Sequence, residues 1–200
     1  MTSHFATDAP SDCHQYPVNL ELEGRRVLLV GGGRVARQKI RSMLTAGALV
    51  TVVAPQINEQ LAEDLDADTA RHADQVTIHR RPYRSDDIDG HQLVLTCTDD
   101  REVNRQVFAD ADAAGVWCNS ADDPANCSWT LPSVARQGDL QLTISTRGKS
   151  PALSMHLRHR FEEEFDARWA ELLELLAEVR AEVRAERGTS EVSGLSLIHI

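Results

Sequence analysis

The sequence predicts an α/β fold built on a parallel sheet, and three observations carry that prediction. Short apolar runs at 26–30 (RVLLV), 49–53 (LVTVV), 76–79 (VTIH), 93–97 (LVLTC) and 116–118 (VWC) are interleaved with segments of helical periodicity. After Arg26 the first run is apolar at every position, as a strand buried on both faces requires. A glycine triplet, Gly31-Gly32-Gly33, stands directly between that run and the first helical segment. Strands and helices alternating in this order imply right-handed βαβ units.

Each element has its own signal. Residues 1–16 are polar and read as a loose leader, and the alternation of Tyr16, Val18, Leu20 and Leu22 suggests a short edge strand or an extended lead-in. Arg34 to Ala46 places Val35, Ile40, Met43 and Leu44 on one helical face and stops at Gly47. Ile57 to Leu65 reads as a short helix. Arg101 to Ala114 reads as a longer one, with Val103, Val107 and Phe108 inward. After Asn119 the rhythm changes. Ser128–Leu131, Ser133–Arg136 and Leu140–Thr146 are expected as short strands, with Gln137-Gly138-Asp139 as a hairpin turn. Ser150 followed by Pro151 is an N-cap with proline at the first helical position. A second C-terminal helix is expected over Ala167–Arg187, with Trp169, Leu172, Leu173, Leu176, Val179 and Val183 as one apolar stripe. The expected division is 16–119 for the parallel-sheet domain, 120–149 for a small β domain and 150–187 for a helical domain. Residues 188–200 are expected to be a disordered or extraneous tail.

Composition narrows the function. Of 200 residues, 21 are Lys or Arg and 31 are Asp or Glu, a formal net charge of −10. That balance argues against a nucleic-acid partner, which needs a basic surface. No apolar run approaches the roughly 20 residues that span a bilayer, so no membrane partner is expected. The start of the chain lacks the basic and apolar stretches of a signal peptide, and a cytoplasmic location is expected. Cys13, Cys97, Cys118 and Cys127 form no CxxC pair, and the eight histidines form no HExxH, so no resident metal site is expected.

The residues 31–36, GGGRVA, fit the GxGxxG/A pattern of a dinucleotide loop, in the strand-to-helix context that gives the pattern meaning. Gly31 permits the tight turn, Gly33 lets backbone approach a pyrophosphate, and Ala36 allows close helix–strand contact. The amides of Arg34 and Val35, opening the helix, favour the anion. A carboxylate for the ribose is expected about 20 residues beyond the first glycine. Thr51-Val52-Val53-Ala54-Pro55 has none. Either backbone near Pro55 and Gln56 holds the ribose or the 2′ position is read loosely, so NAD and NADP both remain open. Arg34 or Arg37 can meet a 2′-phosphate, although a solvated helix face is the plainer role of each.

Three longer stretches extend this reading: GRRVLLVGGGRVARQKIRSMLTAGALVTVVAP, then LVLTCTDDREVNRQV, then VWCNSADDPANCSWTLPSVARQGDLQLTISTRGKSPALSMHLR. Their order resembles the N-terminal module of siroheme synthases, the precorrin-2 dehydrogenase/sirohydrochlorin ferrochelatase family, over about Tyr16 to Arg187. The chain ends where fused members continue into a methyltransferase, so the stand-alone form is expected. The resemblance implies a Rossmann-type parallel sheet followed by a small β dimerisation domain and a C-terminal helical domain. It implies a homodimer with an active site between domains and NAD-dependent oxidation of precorrin-2, a tetrapyrrole, to sirohydrochlorin. In bifunctional members insertion of Fe²⁺, as substrate rather than bound cofactor, then gives siroheme.

The resemblance also implies roles for residues. Asp122, in Asn119-Ser120-Ala121-Asp122-Asp123-Pro124, matches the aspartate essential to both reactions, and a carboxylate suits both proton-accepting tasks. A loop-capping Asp is the plain alternative, and Asp123 is its neighbour and rival. Cys97 and Thr98 fall where family members approach the nicotinamide half. Asp99 and Asp100 read better as a helix N-cap. Asn119, Thr146, Arg147, Lys149 and Ser150 fall at the substrate. Arg147 and Lys149 suit the eight carboxylates of these tetrapyrroles, and solvated basic residues in a turn are the alternative. His156 and His159, without a third ligand, are left out of the site. Trp117 and Trp129 read as core or interface anchors. Three alternatives stand beside the bifunctional reading: a dehydrogenase without chelatase activity, a nucleotide-sensing regulatory module without chemistry, and a tetrapyrrole scaffold that has lost catalysis.

Overall fold

The computed structural model describes residues 15–67, 74–121, 123 and 126–187. All but the end of the expected leader, and the whole expected tail, lie outside them. The chain forms two units, 1–130 and 131–200.

The first unit is a five-stranded, all-parallel sheet in the order β3-β2-β1-β4-β5. Its strands are β1 (Arg26–Val30), β2 (Leu49–Val53), β3 (Val76–His79), β4 (Leu93–Thr96) and β5 (Trp117–Ser120). Its helices are α1 (Arg34–Thr45), α2 (Glu59–Ala67) and α3 (Arg101–Ala113), with a 3-10 turn at Ser85–Ile88. This is the Rossmann-type α/β arrangement, with β1 central and paired to both β2 and β4.

The unbroken apolar strands are explained by the two layers. Val27 and Leu29 of β1, with Val50, Val52, Leu93 and Leu95, face a cluster closed by Ala36, Ile40, Met43, Leu44 and Leu61 of α1 and α2. Leu28 and Val30, with Val53, Val94 and Cys118, face a second cluster closed by Val107 and Ala111 of α3 and by Ile88. Successive residues point to opposite faces, so a strand covered on both sides is apolar at every position. Each fully buried Leu or Val contributes about 1.5–3 kcal/mol.

Several local expectations differ from the structure. Tyr16–Leu22 forms no strand, and Tyr16, Val18 and Leu20 are exposed. Ser128–Leu131 forms no strand either. The Ser128 amide and hydroxyl both donate to the Cys118 carbonyl, at 2.8 and 3.2 Å, and the Cys118 amide donates to the Ser128 hydroxyl at 2.7 Å. Local side-chain bonding replaces a ladder there. Trp117 is exposed, whereas Trp129 packs on the first cluster. The acidic pair before α3 divides: the Asp100 carboxylate caps the helix, accepting from Glu102 N and Val103 N at 2.9 and 3.2 Å, and Asp99 is exposed.

The second unit contains β6 (Ser133–Gln137), β7 (Leu140–Ile144), α4 (Pro151–Glu164) and α5 (Ala167–Arg187). β6 and β7 pair antiparallel across a two-residue turn in which Gly138 has φ +57°. A Cβ on Gly138 would lie 3.0 Å from Ala170 Cβ, so α5 passes close over the turn. Ser150 caps α4 through its hydroxyl, which accepts from Leu153 N at 3.2 Å. The apolar stripe of α5 is only partly covered: Leu173 and Val183 are half-buried, while Trp169, Leu172, Leu176 and Val179 are exposed.

The link from β3 to the 3-10 turn is pinned by Asp87. Its carboxylate accepts from Arg81 Nη2 at 2.5 Å, Arg81 Nη1 at 2.8 Å and Arg84 N at 2.8 Å. Burial works against the charge, but these donors prevail and hold the Asp87 carboxyl below its ordinary value. A depressed folded-state value gives stability that is complete above the unfolded value, near 4, and is lost as pH falls through the folded one. Asp87→Asn should therefore lose about 1–3 kcal/mol at pH 7. It should also show a smaller further loss than the parent between pH 5 and 2, measured by urea unfolding across that range.

Candidate active site

The glycine turn at the carboxyl end of β1 is built by exclusion. A Cβ on Gly31 (φ +119°) would lie 2.6 Å from the Cys97 carbonyl oxygen and 3.0 Å from Thr98 N. A Cβ on Gly32 would lie 2.3 Å from the Gln56 carbonyl oxygen. A Cβ on Gly33 would meet nothing within 4 Å. The first two glycines are thus required by the protein's own backbone, and the third faces open space at the start of α1. No side chain caps α1 and its first turn holds no acid. The helix N-terminus keeps its attraction for an anion.

Hydrogen bonds tie the turn to its neighbours. Gly31 N donates to Val53 O at 2.9 Å, Asn58 N to Gly32 O at 2.8 Å and Cys97 N to Val30 O at 2.7 Å. The structure therefore brings Gly31 against Cys97 and Thr98 and Gly32 against Gln56, and Gly33, Arg34 and Val35 lead from them into α1. Pro55 and Gln56 are exposed at the exit of β2, Arg34 is exposed, and Val35 is half-buried. Arg37 is half-buried and paired. Its Nε and Nη2 donate to Asp64 at 2.5 and 3.1 Å, and its Nη1 donates to Gln60 Oε1 at 2.9 Å. This bonding, chiefly the bond to Arg37, holds the Asp64 carboxyl below its ordinary value.

Asn104 was not singled out by the sequence and acts on this loop. Its Nδ2 donates to the Thr98 carbonyl at 2.9 Å, while the Thr98 hydroxyl accepts from Asp100 N at 3.1 Å. Asn104 Oδ1 is buried without a partner among the described residues. Its position four residues after the Asp100 cap, on the same face of the first turn, was the available signal.

Beyond β5 the chain folds back on itself. Ala121 N donates to Thr96 O at 3.0 Å, and the buried hydroxyls of Thr96 and Ser120 bond at 3.1 Å. Asn119 is buried, and its Nδ2 donates to Trp129 O at 2.8 Å. The Cys127 thiol accepts from Ser120 N at 3.2 Å and lies 3.2 and 3.3 Å from the carbonyl oxygens of Ser120 and Asp123. Burial pushes the Cys127 thiol up, and burial then the neighbouring Cys127 push the Cys118 thiol up to about 12. Both thiols stay protonated at neutral pH and are poor nucleophiles. Asp122 lies outside the described residues. Asp123 Oδ2 accepts from Asn126 Nδ2 at 2.8 Å. Among the described residues no three His, Cys, Asp or Glu side chains gather to hold a metal.

The remaining expected residues lie in the second unit, in the turn from β7 to α4. The Thr146 hydroxyl accepts from Ser150 N and donates to Ser150 O, each at 3.2 Å, and sits 3.1 Å from the Ser154 hydroxyl. Arg147 has φ +55°, the one described non-glycine residue with positive φ. Arg147 and Lys149 are exposed.

Gly32 and Gly33 separate folding from binding. Gly32→Ala must displace the Gln56 backbone and should unfold the first unit or cost several kcal/mol. Gly33 is extended (φ −88°, ψ −166°) with free space, so Gly33→Ala should melt within about 2 °C of the parent. It should nevertheless weaken NAD⁺ binding at least tenfold, because the new methyl fills the open face. Thermal melts and calorimetric titration of both variants check this.

A family model described as putative NAD(P)-binding matches residues 18–133, more than half of the chain. The siroheme synthase of Photorhabdus laumondii is 38% identical over 146 residues, covering 73% of this chain and 30% of that protein. The siroheme synthase of Tolumonas auensis is 38% identical over 172 residues, covering 86% and 35%. The chain thus spans about a third of the length of these synthases. Among solved structures, SirC, a precorrin-2 dehydrogenase, superposes with a TM-score of 0.69 at 28% identity, covering 92% of this chain and 86% of that one. The chain therefore belongs to the putative NAD(P)-binding family, and siroheme synthases and the precorrin-2 dehydrogenase SirC are among its relatives.

Proposed function

We propose that this chain oxidises precorrin-2 to sirohydrochlorin with NAD⁺ and then inserts Fe²⁺ to give siroheme. The observation that carries the reading is the open face at Gly33, at the uncapped start of α1 and two residues after Gly31, which packs on the Cys97 and Thr98 backbone. Such a cradle fits a dinucleotide pyrophosphate. When bound, the nicotinamide supplies the hydride acceptor. Gly31, Gly33, and the amides of Arg34 and Val35 would hold the pyrophosphate. Pro55 and Gln56 would border the ribose, and Cys97 and Thr98 the nicotinamide half.

The carboxylate we assign to proton transfer is Asp122. Its rival Asp123 accepts from Asn126 within the loop. Asp122 follows Ala121, whose amide is bonded to the end of β4. Ligands of open α/β sheets bind beyond such strand ends. In the oxidation, precorrin-2 gives up a hydride and a proton, giving NADH, and Asp122 accepts the proton. In the insertion, two pyrrole N–H protons leave as Fe²⁺ enters, and the same carboxylate accepts them in turn. Arg147 and Lys149 would meet the substrate's carboxylates, with Asn119, Thr146 and Ser150 shaping the loops around them. Oxidation without insertion is the second reading, favoured by the name of SirC, which is a dehydrogenase.

We also propose that the protein works in the cytoplasm as a homodimer paired through the second unit. Trp169, Leu172, Leu176 and Val179 are exposed along α5, and β6–β7, packed by α4 and α5, has no third strand among the described residues. An exposed apolar stripe of this kind is a natural face for a second copy of the chain. Sedimentation should give a dimer, and Leu172→Glu/Leu176→Glu a monomer.

The reaction is tested anaerobically with enzymatically made precorrin-2, NAD⁺ and, afterwards, Fe²⁺. NADH absorbance should rise and a siroheme spectrum should follow, and Asp122→Ala should lower both rates at least a hundredfold. NADH without siroheme selects the second reading. Nucleotide binding without NADH would overturn the enzymatic reading in favour of a sensor or scaffold.

A further inference from the structure

Arg37, on the first turn of α1, is tied to the segment that follows β2. Its Nη1 bonds Gln60 on the first turn of α2, and that turn follows directly from Gln56–Asn58, which packs on the glycine turn. A dinucleotide held at the glycine turn places its adenosine ribose beside the β2 exit. Residues 51–56, TVVAPQ, supply no carboxylate of their own to repel a 2′-phosphate. Discrimination must come from elsewhere, and the guanidinium that a 2′-phosphate would recruit is already bound on all three of its nitrogens. Nε and Nη2 are held by Asp64 at 2.5 and 3.1 Å, and Nη1 by Gln60 at 2.9 Å. Asp64 also draws Arg41 Nη2 to 3.1 Å. A bidentate carboxylate matches the guanidinium fork in the way a phosphate would, so the two compete for the same donors.

We propose that Asp64 is a specificity-determining residue. By occupying Arg37, it makes the site favour NAD⁺ over its 2′-phosphorylated form. This rests on the dinucleotide reading above. Asp64 does not itself touch the nucleotide; it acts by withholding a partner from the phosphate.

The test is calorimetric binding of NAD⁺ and NADP⁺ to the full chain, without substrate. The parent should bind NAD⁺ more tightly. Asp64→Asn and Asp64→Ala should each tighten NADP⁺ about tenfold and leave NAD⁺ within about twofold, and adding Arg37→Gln to either should abolish the gain. Retained NAD⁺ binding also shows that these surface variants are folded. NAD⁺ binding with unchanged NADP⁺ affinity in both variants would overturn the role of Asp64 and leave the dinucleotide reading standing. A gain that survives Arg37→Gln would overturn the role of Arg37 and with it the proposal. Failure of the parent to bind either nucleotide would overturn the dinucleotide reading itself.

Discussion

The exit of β1 passes between two backbone carbonyls, those of Cys97 and Gln56, at distances that no side chain permits. That squeeze organises the sheet's carboxyl end. It forces glycine at 31 and 32, brings the segments after β2 and β4 against the start of α1, and leaves open space only at Gly33. The central strand can approach both neighbours so closely because it is buried on both faces, paired to β2 and β4 and covered by two helical layers. Packing and site geometry are therefore one arrangement.

The strands were legible because double coverage makes a strand apolar at every position, and a short apolar run between helical segments has few other readings. The glycine turn was legible because its strand and helix flank it in sequence. Less legible were features that depend on a side chain reaching a backbone group that sequence does not place. Ser128 was read as strand, but its hydroxyl and amide satisfy Cys118. Asn104 resembles any polar residue of an exposed helix, yet it holds the Thr98 carbonyl. Arg37 was read as a solvated or phosphate-binding residue, because its partner Asp64 is 27 positions away on another helix. The stripe on α5 was visible, but periodicity identifies an apolar face without saying what covers it.

Small polar side chains do much of the positioning. Asn119, Cys127 and Ser128 fasten the chain that follows β5, and Thr146, Ser150 and Ser154 fasten the turn before α4. Each bond of this kind contributes about 0.5–1.5 kcal/mol, but the group it orders is backbone, which otherwise fluctuates most in loops. Loops fastened this way can present residues such as Asp123 or Lys149 at defined places without helical or strand structure.

The left-handed conformation of Arg147 is one of these fastened features. A non-glycine residue there raises the energy of the turn by about 1–2 kcal/mol, which the hydroxyl network around Thr146 offsets. The strain belongs to the side chain's presence: glycine at 147 would take the same backbone freely, as Gly148 beside it does at φ +74°, so an arginine here is held at a cost in backbone energy.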